Sequence, residues 1–324
     1  MHILADKSRA TLRCAAFVCA WAATLVGAQA PAQAPAQQWH VPLQKEGATV
    51  KLSEHVYLIP DFKVGMVPNV GIIVGSRATL VVDPGMGRKN GQVVLREVQQ
   101  VSQGPDLYIV NTHFHPEHTT GEVAFPPSAQ VIRAAAQQQD VDEMGMPFVD
   151  RFRQRSPEIA DLLKDVTFRP PTEIFETEKV LDLGGVRVRL LRMGPGHTRG
   201  DTVIFVEGDR VLFSGDLAMK DLFPAFASSQ SDSRTWLASL DQMAALHATQ
   251  LVPAHYELTD HSAIDAYRRY LTALQMRVAA LKQQGTSSED AAKLLVEEFT
   301  QQYPTWDQPG RVQAAVAAVY KELP

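Results

Sequence analysis

Along the first two thirds of the chain, apolar and β-branched residues come in short runs, each closed by a turn containing Gly or Pro. This spacing predicts strands over 50–59, 70–74 and 79–83, separated by turns at Gly65, Pro68-Asn69 and Gly75-Ser76. Val94, Leu95, Val98 and Val101 then fall on one helical face, predicting a helix over 92–101, and a strand over 107–111 follows Gly104-Pro105. Strand, helix and strand make a β-α-β unit. A second β block is expected from runs at 180–182, 186–192, 202–206 and 211–214, broken by Gly184-Gly185 and Glu207-Gly208-Asp209. An amphipathic helix over 236–247 opens behind Ser231-Asp232-Ser233, and a strand over 249–253 follows it. Beyond residue 260 the spacing changes to threes and fours. Ile264, Tyr267, Leu271, Leu274, Val278 and Leu281 mark one helix, with Gly285 at its C-terminal cap position; Ser287-Ser288-Glu289-Asp290 opens a second, and Val312, Val316 and Val319 mark a third. Between the two β blocks, roughly 126–177 is of mixed character. Helices are expected over 134–141 and 157–164, flanking an exposed apolar tip at Met144-Gly145-Met146-Pro147-Phe148. An insertion of this length beside a site is expected to serve as a lid.

The N-terminus has a different composition. Lys7, Arg9 and Arg13 precede an apolar run from Cys14 to Gly27, and Ala28-Gln29-Ala30 supplies small residues at a cleavage site. A secretory signal peptide over 1–30 is expected, cleaved near Ala30, which implies a periplasmic or secreted protein. The apolar run is shorter than a membrane span requires, so no stable anchor is expected after cleavage. Pro-Ala-Gln repeats over 31–38 form a linker, and order should begin near Trp39. The whole chain, at 324 residues and 45% hydrophobic, suits one main domain with additions: a catalytic domain over 39–261 and a helical extension over 262–324. Both cysteines lie in the leader, so the mature chain has no disulfide, and a metal site in it has only His, Asp and Glu to draw on. The formal charge is −5; loss of three basic residues and Asp6 with the leader removes a net +2 and leaves −7. A mildly acidic chain argues against a nucleic-acid partner.

The densest chemistry is His113-Phe114-His115-Pro116-Glu117-His118, three imidazoles and a carboxylate at the exit of the predicted 107–111 strand. Ligands bind at the carboxyl ends of strands in α/β sheets, so position and chemistry agree on a metal site. His113 and His115, two apart in extended chain, point to one side as a chelate requires. Pro116 then bends the path so that Glu117 and His118 can face the same cavity. The same arrangement of apolar strand, turn and His or Asp recurs in Gly196-His197-Thr198, Ser214-Gly215-Asp216 and Pro253-Ala254-His255, which makes His197, Asp216 and His255 partners for the cluster. His40, His55, His247 and His261 stand outside such turns and read as structural or surface residues.

Taken in order, these motifs resemble the metallo-β-lactamase superfamily over roughly 39–261. The resemblance implies an αββα sandwich with the metals at one edge of the two sheets. It also implies a first zinc held by His113, His115 and His197, and a second held by Glu117, His118 and His255, with Asp216 bridging. Three neutral imidazoles leave one open position on a tetrahedral zinc, the catalytic pattern. A second metal about 3.5–4 Å away shares a hydroxide that attacks the substrate. The acid of the motif is normally Asp. Glu117, one methylene longer, makes the second site the less secure of the two. Tyr256 stands where relatives often carry Gly, and its phenol is expected to face the cleft as a donor to an oxyanion. Glu117, Asp216 and Tyr256 are therefore the expected catalytic side chains. The expected activity is zinc-dependent hydrolysis of an ester, lactone, thioester or similar carbonyl in a small molecule. The alternatives are β-lactam hydrolysis, disfavoured because Asp216 occupies a position where lactamases tend to carry Cys or Ser, and an iron-dependent oxidoreductase of the same fold. The C-terminal helices are read as an appendage on the core, with a homodimer contact as the sharper alternative.

Overall fold

The computed structural model of the chain describes residues 41–324; the expected leader over 1–30, its cleavage site and the 31–38 linker lie outside the described residues. Two sheets face each other. The first contains β1 (Val50–Lys51), β2 (Val56–Ile59), β3 (Val70–Val74), β4 (Ala78–Val82), β5 (Asp106–Val110), β6 (Gln130–Ala134) and β7 (Glu173–Phe175), adjacent in sequence order. Strands β1 to β4 pair antiparallel and β4 to β7 parallel, the change coming where α1 (Gly87–Val101) crosses from β4 to β5. The second sheet contains β8 (Glu178–Asp182), β9 (Arg187–Arg192), β10 (Thr202–Val206), β11 (Val211–Gly215) and β12 (Gln250–Pro253). It is antiparallel except where α6 (Ser233–Ala245) crosses from β11 to the parallel β12.

The central strands read as continuous apolar runs because both their faces are covered. Ile73, Leu80 and Val82 pack against Ile204, Val206, Phe213 and Val252 of the opposite sheet, while Ile72 and Val81 turn outward onto Val94 and Val98 of α1. Each fully buried side chain of this kind contributes roughly 1.5–3 kcal/mol. On the far side, α6 and the helices α7 (His261–Gln283), α8 (Ser288–Gln302) and α9 (Arg311–Glu322) share one core with the outer face of the second sheet. Trp236, Leu240, Tyr267, Leu271, Leu274, Val312 and Val316 lie in it with Val203, Phe205, Leu212 and Leu251. The layers are therefore helix, sheet, sheet and helix, the αββα sandwich implied by the motifs. Cap chemistry falls where the sequence placed it: Asp232 accepts from Thr235 N, Ser287 from Asp290 N, and Gly285 takes φ +79° just past α7. Among the described residues, no helix is long and apolar enough to cross a membrane.

Four local expectations are corrected. The 50–59 strand is two strands of a hairpin, because Leu52 N and Ser53 N both turn back onto Val56 O. Helix α1 starts at Gly87, not residue 92; its first turn carries no apolar stripe, and tertiary contacts such as Gly87 N to Thr120 Oγ1 (2.9 Å) hold it. Of the 126–177 stretch, 130–134 and 173–175 are strands of the first sheet, too short and too mixed in polarity to show as a pattern. What leaves the sheet is α3 (Ala135–Asp140), a π turn over Val141–Gly145, α4 (Met146–Arg153) and α5 (Pro157–Leu162). The apolar tip at 144–148 is helical: Met146 is exposed, but Phe148 turns inward onto the histidine cluster.

Candidate metal centre

Every residue of the cluster leaves a strand end or a tight turn. After β5 the chain bends through residues 112–114, where an extended segment was expected, to His115 (φ −60°, ψ 148°), and Pro116 begins the one-turn helix α2 (Pro116–Thr119), which brings His118 back onto the His113 ring. The Thr119 and Thr120 hydroxyls donate to His115 O (2.9 Å) and Pro116 O (2.6 Å), locking that turn. The turn carrying His197 is closed by Asp201, which accepts from Gly196 N, Thr198 N and Thr198 Oγ1. Gly215, at φ +58°, ends β11 so close to the first sheet that a Cβ there would stand 2.8 Å from Thr112 Cβ, and this approach carries Asp216 to the histidines.

Three groups of ligand atoms lie within 4.8 Å of one another: His113, His115 and His197; His113, His118 and Asp216; Glu117, His118 and His255. His113 Nε2 and His197 Nε2 approach His115 Nδ1 to 3.0 and 3.3 Å. Asp216 lies between the two histidine sets, with Oδ2 3.5 Å from His197 Nε2 and Oδ1 3.9 Å from His255 Nε2. The structure thus brings all seven sequence-predicted ligands together. His55, paired with Asp209, and His261, paired with Asp265, lie apart from them.

The outward nitrogens decide what the inward ones can do. His197 Nδ1 donates to Ala225 O (2.6 Å) and His255 Nδ1 to Val67 O (2.9 Å), because a carbonyl can only accept. Asp83 accepts from Thr112 N and Thr112 Oγ1, both at 2.7 Å, and from His118 Nδ1 at 3.0 Å. The committed Thr112 hydroxyl then accepts from His113 Nδ1 (3.2 Å). Four imidazoles are therefore oriented with the Nε2 lone pair inward, as outer hydrogen bonds orient metal ligands generally. A proton on His115 Nδ1 satisfies one of the two lone pairs facing it; a cation satisfies all three. Buried His118 Nε2, Glu117 Oε2 and Asp216 Oδ1 also have no hydrogen-bond partner. The donor set fits a pair of divalent metals.

Electrostatics agree. Burial, reinforced by neighbouring imidazoles, holds His113 and His115 well below the usual histidine range, so both are neutral as ligation requires. Burial would raise Asp216, but His197, His255 and His118 outweigh it and keep this carboxyl well below its ordinary value. Burial likewise opposes charge on His118, yet Asp83, aided by Glu117 and Asp216, pushes it up to about 9, so a metal entering there displaces a proton from Nε2.

Tyr256 adjoins the cluster at φ +70°, with its N–H on Asp61 Oδ2 (2.7 Å) and its phenol raised by burial and by a hydrogen bond to Asp307. The Phe148 ring stacks on His115 at 4.9 Å and 15°. Arg155, set over the Phe152 ring at 3.8 Å, places a cation within electrostatic reach of Glu117 and His115. Sequence reasoning missed Asp83, Thr112, Arg155 and the Ala225 and Val67 carbonyls. Asp83 had a usable signal, since Asp83-Pro84-Gly85 repeats the strand-then-acid pattern of the other motifs. The carbonyls had none, because any residue supplies one.

A sequence profile described as the Metallo-beta-lactamase superfamily matches residues 64–255, more than half of the chain. The chain is 26% identical over 214 residues to a linear primary-alkylsulfatase of Pseudomonas sp. (strain ATCC 19151), a match covering 57% of this chain and 40% of that protein. It is 29% identical over 225 residues to a hydroxyacylglutathione hydrolase of Albidiferax ferrireducens, covering 66% of this chain and 74% of the other. Among solved structures, the inverting sec-alkylsulfatase Pisa1 of Pseudomonas sp. superimposes with a TM-score of 0.64 at 15% identity, over 85% of this chain and 50% of that one. The chain thus spans half or less of the length of the two alkylsulfatases it matches.

Proposed function

The chain belongs to the metallo-beta-lactamase superfamily, and on that premise we propose that it is a dinuclear zinc hydrolase of small-molecule esters: carboxylic esters, lactones, thioesters or sulfate esters. The observation that carries the metal assignment is the set of outward hydrogen bonds that turns Nε2 of His113, His118, His197 and His255 inward, toward one another and the carboxylates of Glu117 and Asp216. His113, His115 and His197 would hold the first ion; Glu117, His118 and His255 the second; Asp216 would touch both. Bound zinc supplies a Lewis acid for the attacked carbonyl or sulfuryl oxygen and lowers the pKa of a coordinated water.

The chain's own groups do the rest. Asp216, kept ionised by its imidazole neighbours, is too weak a base to take a proton, but its negative charge can orient the attacking water as a hydrogen-bond acceptor. Phe148 and Phe114 pack about His115 and exclude water from that side, a role suited to a lid segment. The alkylsulfatase and hydroxyacylglutathione hydrolase relatives support ester-type substrates, and Asp216 supports them over β-lactams.

Zinc-loaded mature protein tested on an alkyl sulfate, a thioester, aliphatic lactones, a phosphodiester and a chromogenic cephalosporin decides the substrate class. A kcat/KM of about 10⁴ M⁻¹s⁻¹ or more is expected for one of the first three. Cephalosporin turnover above all others would reverse the preference, and iron as the native metal with oxygen uptake would reverse the reaction type.

A further inference from the structure

We propose that the C-terminal helices are part of the metal centre: through Asp307 and Arg311 they hold the 217–228 loop whose Ala225 carbonyl orients His197, which makes Arg311 a positioning residue for the first metal site. This inference rests on the metal-hydrolase reading above, through the assignment of His197 as a ligand.

His197 Nδ1 is fixed by one acceptor, Ala225 O, at 2.6 Å. That carbonyl belongs to the connection between β11 and α6, where no sheet ladder holds the backbone, so its position is set by what grips the loop. The grip comes from the extension. Asp307 N donates to Asp221 O (2.8 Å) and Asp307 O accepts from Phe223 N (3.2 Å), a two-bond bridge across Leu222. The Tyr267 hydroxyl donates to Leu222 O (2.9 Å), and Arg311 Nη1 donates to Phe223 O (3.0 Å), two residues before Ala225. The Trp306 ring seals the contact 5.2 Å from Phe223.

The other handle on His197 leads to the same helices. Ser231 Oγ donates to His197 O (2.7 Å) and Asp232 N to Gly196 O (3.3 Å). The adjoining Ser233 is held in turn by Glu322 of α9, through Ser233 N to Oε1 (2.9 Å), and by Gln275 of α7 (2.7 Å). Both backbone and ring of His197 are thus referenced to residues 267–322. Arg311 also places its charge within electrostatic reach of Asp216, so its loss would loosen the loop and weaken the field at the bridging carboxylate together.

The test uses the full mature chain in four forms: wild type, Arg311→Met, Arg311→Lys and Arg277→Met. Arg277 pairs with Glu298 (2.7 Å) between α7 and α8, a contact within the same helices and away from the 217–228 loop. Zinc affinity is measured by competition with a chromophoric chelator, and coordination by the visible spectrum of the cobalt(II) forms. Arg311→Met is expected to weaken the tighter site about 10-fold, in the range found for outer-shell partners of metal ligands, and to alter the cobalt bands. Arg311→Lys should recover part of the loss, and Arg277→Met should keep wild-type affinity and spectrum even if it melts lower. Wild-type affinity and spectrum in Arg311→Met overturn the proposal, as does an equal loss in Arg277→Met. A wild-type chain that binds neither ion overturns the hydrolase reading as well, so the two failures are distinguishable.

Discussion

Asp83→Asn isolates one feature of the centre, the carboxylate behind His118. The substitution is nearly isosteric, and Asn tolerates the left-handed backbone that Asp83 adopts at φ +56°. Asp83 accepts three hydrogen bonds, from Thr112 N, Thr112 Oγ1 and His118 Nδ1. With the Asn oxygen on Thr112 N, its NH₂ faces Thr112 Oγ1, which can accept, and His118 Nδ1, which as an N–H cannot. The imidazole is driven to the other tautomer, with its proton on Nε2, the atom aimed at the metal. Losing a charge-assisted bond of this kind costs about 1.5–3 kcal/mol, equivalent to roughly 10–100-fold in metal affinity, the span observed for such outer partners. The loss should be larger at the second site, because His118 bonds Asp83 directly, whereas of the first-site residues His113 meets it only through Thr112 Oγ1 and neither His115 nor His197 bonds it. Equilibrium dialysis with metal analysis at pH 7.5 should show about two zinc ions per wild-type chain and about one in Asp83→Asn at limiting free zinc. Equal stoichiometry and affinity in the two proteins would refute the tautomer reasoning.

Glu117→Asp should raise zinc content toward two and change turnover, since the shorter acid is the superfamily's usual residue; unchanged stoichiometry would mean Glu117 already ligates as well as Asp. Phe148→Ala uncovers the side of His115 that this ring shields, so KM for bulky substrates should rise with metal content unchanged; if kinetics stay the same, α4 is surface packing and not a lid. Burial raises the Asp140 carboxyl to about 7 against an ordinary 3.8, with Arg199 offsetting part of the effect. Stability from its protonated form is therefore present below about 4 and lost as pH rises through about 7. Asp140→Asn should then raise the melting temperature more at pH 8 than at pH 5, and the opposite order in a melting series would show that the ion pair with Arg199 outweighs burial.

The motif chemistry was legible in the chain alone. Candidate metal ligands here can only be His, Asp or Glu, and those that follow an apolar run and a Gly or Pro turn stand out, so composition and local pattern single out His113, His115, Glu117, His118, His197, Asp216 and His255 as candidates without any long-range information. The buried central strands were equally legible, because covering both faces of a strand leaves a continuous apolar run such as 70–74. Patterns failed where the deciding contact lies far along the chain. Strand β6, interrupted by Gln130 and Arg133, and the three-residue β7 carry no continuous apolar run and exist because β5 offers β6 an edge and β6 offers one to β7. Phe148 looks like an exposed apolar tip until α4 folds it onto His115. The orientation of the ligands was decided by tertiary structure: Asp83 reaches His118 across 35 residues, Val67 O reaches His255 across 188, and Arg311 reaches the loop behind His197 across 88. Side-chain type states which atoms can bind a metal, whereas which lone pair faces inward depends on backbone acceptors that only the packed fold brings within hydrogen-bond distance.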